Sequence, residues 1–474
     1  MGELEEATDA TAQALAQKES QWDQILASAE YQHQKLVADT WCAAFVWPKL
    51  AGELDHVAPT NELWRQLRDG EQELPALTGR IVNNLAEQYG FFHWHLQFPQ
   101  VFANGGFDVV TGNPPWERVT LKEKEWFAHR DPELAGGGTG AARLQRIADL
   151  EKVNPVLYRE FMSAKRTAGG EKGLLRRSGA YPLCGQGDVN TFAVFAELGR
   201  RLTRGRVGLV LPTGIVTSDT TQDFVAELVQ REQLVSLFDF DNRSGIFPAV
   251  QGNVRFCLMT IARNQPTIVA AAQLRSTTEL RDPERIWSLS RADIVRINPN
   301  TLTMPLFPSK RDATIVASIY ARMRCLDELR AAYPGKWTAP MHRMLHMGDD
   351  SHLFKTEDQL RAGGYERAAD RWTKADAMYV ALLEAKLCHQ YDHRAGTFDG
   401  IPKEARFGTH PATRDMTDGE HNDPTSFAEP RYWVPDNEVR RRIGNRSFLL
   451  SFRDAVSAVA DARSLVAAIV PPFG

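Results

Sequence analysis

Phe107-Asp108-Val109-Val110-Thr111-Gly112-Asn113-Pro114-Pro115-Trp116 reads as a strand running into a rigid turn. Phe107 to Val110 is a compact apolar run, and the two prolines beyond it lack the N–H groups that a β-ladder needs, so pairing stops there. A site is therefore expected at the carboxyl end of this strand, where ligands bind in open α/β sheets.

Working outward, residues from about Leu4 to Leu50 are rich in Ala, Gln, Glu and Leu, with Trp22, Ile25, Leu26 and Ala29 at helical spacing, and predict one or two helices. Asn84 to Phe102 reads as a helix ending near Gly90, followed by a short aromatic stretch. Downstream, Asp188 to Arg204 predicts a helix capped by Asp188 or Asn190, and Val207 to Leu211 predicts a strand turning at Pro212-Thr213-Gly214. A helix over Asp223-Phe224-Val225-Ala226-Glu227-Leu228 and strands over Leu234 to Phe240 and Val254 to Ile261 follow. The alternation is that of an α/β sheet. Residues 266–340 carry mixed signals, and the remainder, dense in His, Arg, Tyr and Trp, reads as loop-rich surface or irregular α+β.

The 474 residues are 43% hydrophobic and 24% charged, an ordinary globular composition with room for two or three cores. The net charge of -4, from 56 basic and 60 acidic side chains, means that any nucleic-acid surface must be a local patch. Cys42, Cys184, Cys257, Cys325 and Cys388 are scattered without C-x-x-C spacing, which argues against a disulfide framework and fits a reducing cytoplasm. No apolar run approaches the roughly 20 residues of a membrane span, and the acidic N-terminus is unlike a signal peptide.

The turn has a chemistry of its own. The Asn113 side-chain oxygen and the Pro114 carbonyl are two acceptors on a stiff frame, suited to take the two N–H bonds of an exocyclic amine and favour its pyramidal, nucleophilic form. Trp116 offers a face to a base taken out of a duplex. The plainer alternative is a rigid strand-to-loop turn with a core tryptophan. Gly136-Gly137-Gly138-Thr139-Gly140 lacks the preceding strand and the Lys-Ser/Thr end of a phosphate loop, and reads as a flexible loop. His342 and His346 share a helical face with His352 nearby, but the intervening Glu of a zinc protease is absent, so no metal is expected. Lys386, His389, His393 and Arg394 surround Gln390-Tyr391-Asp392, and Arg440, Arg441 and Arg442 follow Tyr432-Trp433. These seven are candidate DNA contacts, the arginine run for phosphates because three adjacent arginines cannot all reach base edges; solvated faces are the alternative.

From about Phe91 to the C-terminus, the ordered series FHWHLQFPQVF, GFDVVTGNPPWE, SGAYPLCGQGDVNTFAVFAEL, GRVGLVLPTGIVTSD, HMGDDSHLF, LLEAKLCHQYDHRAGTF, PRYWVP and SFRDAVSA resembles the large adenine-specific methylases of type IIG restriction-modification and of BREX- or DISARM-like phage defence. The resemblance implies a Rossmann-like methyltransferase sheet, S-adenosylmethionine as cofactor, duplex DNA as partner and a C-terminal target-recognition region. It assigns Asn113, Pro114, Pro115 and Trp116 to the target adenine and leaves Asp108 a structural role. The implied organisation is a helical segment over 1–100, a catalytic region over 101–265, a connecting region over 266–340 and a recognition region over 341–474. The family's glycine loop, which holds the cofactor upstream of the motif, is missing, so the cofactor-binding residues are unknown and the sheet is expected to be incomplete. The chain then reads as the downstream portion of a longer protein, as one half of a split enzyme served by an upstream subunit, or as a DNA-binding remnant without activity. No nuclease is expected in it.

Overall fold

The computed structural model describes residues 11–48, 54–136, 140–324, 328, 331, 343–368, 370–408, 411–453 and 465–472. It divides into two compact units, Met1–Pro334 and Gly335–Gly474. No helix among the described residues is long and apolar enough to cross a membrane.

The first unit opens with helices Ala12–Ala27 and Ala29–Val46, divided at Ser28, whose hydroxyl accepts the Tyr31 N–H and so starts the second helix. Ala43, Val46 and Trp47 pack against Val82 and Leu85 of helix Ala76–Tyr89. That helix ends at Gly90 in the left-handed conformation, φ 61°, which glycine adopts without steric cost. The chain then turns through Trp94, Phe98 and Phe102, which meet Phe107 edge-on at 5.4–5.8 Å between ring centroids.

Six strands form one mixed sheet: β1 (Phe107–Gly112), β2 (Thr203–Pro212), β3 (Leu234–Asp241), β4 (Arg255–Ile261), β5 (Thr267–Leu274) and β6 (Trp287–Ser290). Their order is β1-β2-β4-β3-β5-β6. β1 is parallel to β2, β2 and β3 are each antiparallel to β4, β5 is parallel to β3, and β6 is antiparallel to β5. Hence β1, β2, β3 and β5 all end at the same edge of the sheet. The alternating buried positions Val207, Leu209 and Leu211 of β2 meet Leu237, Met259 and Ala270 in the largest core, which the helix Thr191–Leu202 and the helix Gln222–Gln230 close with Ala196, Phe224 and Leu228. The sheet does not stop at residue 265: β5 and β6, in the expected connecting region, complete it. Their signals are mixed because the strand Thr267–Leu274 opens on the β-formers Thr267, Ile268 and Val269 but continues through three alanines, whose strand state is set by pairing with β3.

β1 pairs only with β2 among the described residues, so its outer edge is open, and Val109 is 63% exposed. The β1·β2 register slips between Phe107 and Val109, where Arg204 and Gly205 face the single residue Asp108. A Cβ on Gly205 would lie 1.9 Å from the Asp108 carbonyl oxygen, so only glycine fits the bulge.

In the second unit, β7 (Glu366–Ala368), β8 (Arg371–Lys374) and β9 (Ala377–Ala381) form an antiparallel meander. The pair β10 (Gly396–Thr397) and β11 (Arg414–Asp415) is separate, and β12 (Trp433–Pro435) joins β9 to give the order β12-β9-β8-β7. A last antiparallel pair is β13 (Leu449–Phe452) with β14 (Ala467–Val470). Trp372 and Trp433 fill the core of the four-stranded sheet, and helix Asp436–Ile443 places Val439 and Ile443 in the neighbouring one. Arg414 ties this unit's loops together, donating to Glu420 at 2.7 Å and to Asp399 at 2.9 Å. The Arg414 guanidinium and the Thr417 N–H and hydroxyl hold the Glu420 carboxyl down at about 2.

Two outcomes follow from these contacts. Gly205→Ala, driving a methyl group into backbone, destabilises the first unit by about 2–4 kcal/mol, seen as a lower urea midpoint with an unchanged slope. Because Glu420 is depressed from an ordinary value of 4.5, its pairing contributes fully above about pH 4.5 and is lost as pH falls through about 2. Acid titration of tryptophan fluorescence shows this loss, and Glu420→Gln removes that part of the pH dependence.

Candidate active site

Asn113 leaves β1 at the edge where β2 and β3 also end. Gly112 lies opposite Leu209, so β2 runs three residues further, to Pro212, and β3 ends at Asp241 opposite Arg255. The site is thus framed by three turns, Asn113–Trp116, Thr213–Gly214 and Asn242–Gly252.

The first turn is fixed from outside. The Thr191 hydroxyl donates to the Pro115 carbonyl at 2.6 Å, with the Glu117 carbonyl also within reach at 3.1 Å, and it accepts the Glu117 N–H at 3.0 Å. The Thr191 N–H donates to the Glu117 carbonyl at 2.9 Å, and the Val119 N–H to the Val189 carbonyl at 3.0 Å. Arg118 pairs with Asp188 at 3.1 Å. Asn190 is the N-cap residue of helix Thr191–Leu202 by position, without a side-chain bond to the helix, and its Oδ1 is buried with no partner among the described residues. The start of that helix therefore serves as a clamp for the turn.

Pro114 is buried and Asn113 and Pro115 are exposed. Among the described residues neither the Asn113 side chain nor the Pro114 carbonyl has a hydrogen-bond partner. Trp116 is half-buried, packed against Val210, Phe240 and Phe256, and its indole N–H is enclosed without a partner among the described residues. It is a core residue in the turn after β1, as the plainer reading expects. Asp108 points away: its side chain is exposed and accepts from the Arg204 Nε at 2.8 Å, a tie between β1 and β2.

One aromatic residue escaped the sequence reading. Phe247 lies on the third turn, 39% exposed, and stands edge-on at 4.9 Å to Phe256, a ring of the cluster against which Trp116 packs. The buried Asn242 shapes that turn, donating to the carbonyls of Phe247 at 3.1 Å and Val250 at 2.9 Å and accepting the Phe247 N–H at 2.9 Å. The available signal is the apolar run Ile246-Phe247-Pro248-Ala249-Val250 between Gly245 and Gly252.

The residues of the second unit divide. Arg440 and Arg441 lie on helix Asp436–Ile443 with about two thirds of their side-chain surface exposed, at 69% and 68%, each paired within the helix to Asp436 or Glu438. Lys386 is exposed and donates to the Pro411 carbonyl. His389 and Asp392 bond through their backbones to close a turn, and burial pushes the His393 imidazole below its ordinary value. Arg394 and Arg442 work inside the fold. The Arg394 guanidinium donates to the carbonyls of His421, Asp423 and Ser426 at 2.8–3.2 Å, and Arg442 donates to Asp350 at 2.7 Å. His346 bonds Asp349 at 3.1 Å, His342 lies outside the described residues, and so do residues 137–139 of the glycine run.

Residues 37–142 match the family described as Eco57I restriction-modification methylase, a span that includes β1 and the Asn-Pro-Pro-Trp turn. No curated protein matches the chain. Among solved structures, a type I restriction-modification methyltransferase subunit from Streptococcus thermophilus is 11% identical, with 43% of this chain and 39% of that one aligned and a TM-score of 0.25. The type IIG restriction endonuclease BpuSI is 14% identical over 67% of this chain and 32% of that one, with a TM-score of 0.27. The chain thus spans about a third to two fifths of the length of these two.

Thr191→Val removes the hydroxyl that holds the turn while keeping the side chain's shape. It costs about 1–2 kcal/mol in urea unfolding and makes the backbone N–H groups of Glu117 and Val119 exchange faster with deuterium.

Proposed function

We propose that the chain is the base-holding and DNA-reading part of an S-adenosylmethionine-dependent, adenine-specific DNA methyltransferase of a restriction-modification or phage-defence system. The observation that carries this is the clamped Asn113–Trp116 turn, with two unpartnered acceptors at the carboxyl end of a parallel strand, inside the span that matches a restriction-modification methylase family. In the proposed reaction the Asn113 oxygen and the Pro114 carbonyl each accept one N–H of the adenine amine, turning its lone pair toward the methyl donor. Trp116 and Phe247 bound the base by its faces. Lys386, His389, His393, Arg440 and Arg441 are proposed to meet the DNA, while Arg394 and Arg442 support the loops that carry them.

S-adenosylmethionine would supply the methyl group, but the described residues before the motif do not form a holder for it. Among the described residues β1 is the first strand, so no strand, glycine loop and helix precede the motif. Gly105 and Gly106 stand before β1 and lead from a short helix into a strand, the reverse of a cofactor loop. A second reading follows from the same observation: the chain is one part of a split enzyme or a silent DNA-binding module, and the open edge of β1 is where an upstream subunit carrying the cofactor loop would extend the sheet. A cytoplasmic location belongs to this proposal.

Calorimetric titration with S-adenosylmethionine, with and without duplex DNA, separates the two readings. Micromolar binding favours a complete enzyme, and absence of binding favours the split one. Where the chain transfers labelled methyl groups to adenine, Asn113→Ala lowers the rate about 10²-fold or more with an unchanged unfolding midpoint; undiminished transfer would sink the role given to Asn113.

A further inference from the structure

Asp239, two residues before the end of β3, is a fully buried carboxylate. Burying such a charge costs several kcal/mol unless it is paired and hydrogen-bonded. Here the Thr213 hydroxyl donates to it at 2.5 Å, the Gln273 N–H at 2.9 Å, and the Arg255 guanidinium as well. These donors come from the turn after β2, from β5 and from the start of β4. Gln273 holds a left-handed backbone, φ 56°, where the β3·β5 register slips between Phe238 and Phe240. The Thr213 N–H also donates to the Arg255 carbonyl at 3.2 Å, so this arginine and the second turn of the site are tied together twice.

The arginine is not enclosed with its partner. Its side chain is 39% exposed while that of Asp239 is at 0%, and its Nε is buried without a partner among the described residues. A guanidinium has five N–H donors in one plane. Bonding one end to a fixed carboxylate sets that plane while the side chain stays 39% exposed, at the edge of the sheet where β1, β2 and β3 end. Arg255 is opposite Asp241 in the ladder, and its side chain shares a sheet face with Asp239 and Cys257, opposite to that of Phe256. Asp241 in turn faces the exposed Arg243 at 3.5 Å, so its charge has a cation of its own.

We propose that Arg255, oriented by Asp239, binds a phosphate of the DNA strand whose base enters the Asn113 turn. This rests on the methyltransferase reading and adds a contact to it. Neutralising Asp239 alone requires a cation but not an exposed one; a part-exposed fork at the strand-end edge of the sheet fits a ligand with planar or tetrahedral oxygens. Asp239 acts through Arg255 and is a positioning residue.

The test is binding of the full chain to a fluorescent duplex of about 20 base pairs between about 50 and 200 mM salt. Arg255→Gln is expected to weaken binding about fivefold to tenfold at the lower salt and to reduce the slope of log K against log salt by about 0.9, the share of one phosphate. A purely structural role would lower the unfolding midpoint and leave the slope alone. Phenylglyoxal modification of the unsubstituted chain needs no variant to fold: duplex DNA is expected to protect Arg255, read by mass spectrometry. Equal slope and affinity for the variant, or no protection, overturns the inference while the methyltransferase reading stands. An unsubstituted chain that binds no duplex overturns both.

Discussion

The pairing of β1 with β2 is the constraint on which the rest of the first unit depends. It sets the level at which β1 stops, and so the height of Asn113 against the turns that follow β2 and β3. The pairing survives on a bulge that admits only Gly205 and on an edge tie between Asp108 and Arg204. Without it the two prolines would still make a rigid turn, but one without a fixed position. The Thr191 clamp then converts position into orientation, because it holds the turn through the Pro115 and Glu117 backbone and leaves the two acceptors at Asn113 and Pro114 open.

Much of this was legible in the sequence. Phe107 to Val110 and Val207 to Leu211 are short apolar runs bounded by Gly and Pro, and both are strands. Gly90 ends its helix as a left-handed cap, which its place after a periodic segment announced. Asn113 is where the motif put it, exposed at a strand end. The strand β5 is harder to read, because Thr267-Ile268-Val269 favour a strand while the three alanines after them favour a helix until a parallel neighbour decides the matter. Phe247 was missed for a related reason: an aromatic residue in a loop carries no periodicity, and its significance lies in the strand ends it sits between.

The charged residues show the limit of sequence reading more sharply. Arg394 and Arg442 look like Arg440 and Arg441 in a string of letters. In the fold, Arg394 satisfies three backbone carbonyls of an irregular loop and Arg442 holds Asp350, whereas Arg440 and Arg441 extend from a helix whose buried face is Val439 and Ile443. An irregular domain with short strands leaves many carbonyls outside any ladder, and arginine is the side chain with enough donors to satisfy several at once. A dense arginine content in such a domain is therefore partly a substitute for secondary structure.

Asp239 has a consequence for how the site can change over generations. One carboxylate anchors the roots of the turn after β2, the first residue of β4 and the end of β5. The tips of these loops, Phe247 and Val250 among them, are free to drift, since Asn242 shapes them separately. Their roots are not independent: a substitution that shifts one is felt by the other two through the same pair of oxygens. Moving a single one of these loops would meet resistance from its neighbours, and sequence change is expected to collect at the loop tips, leaving this junction as it is.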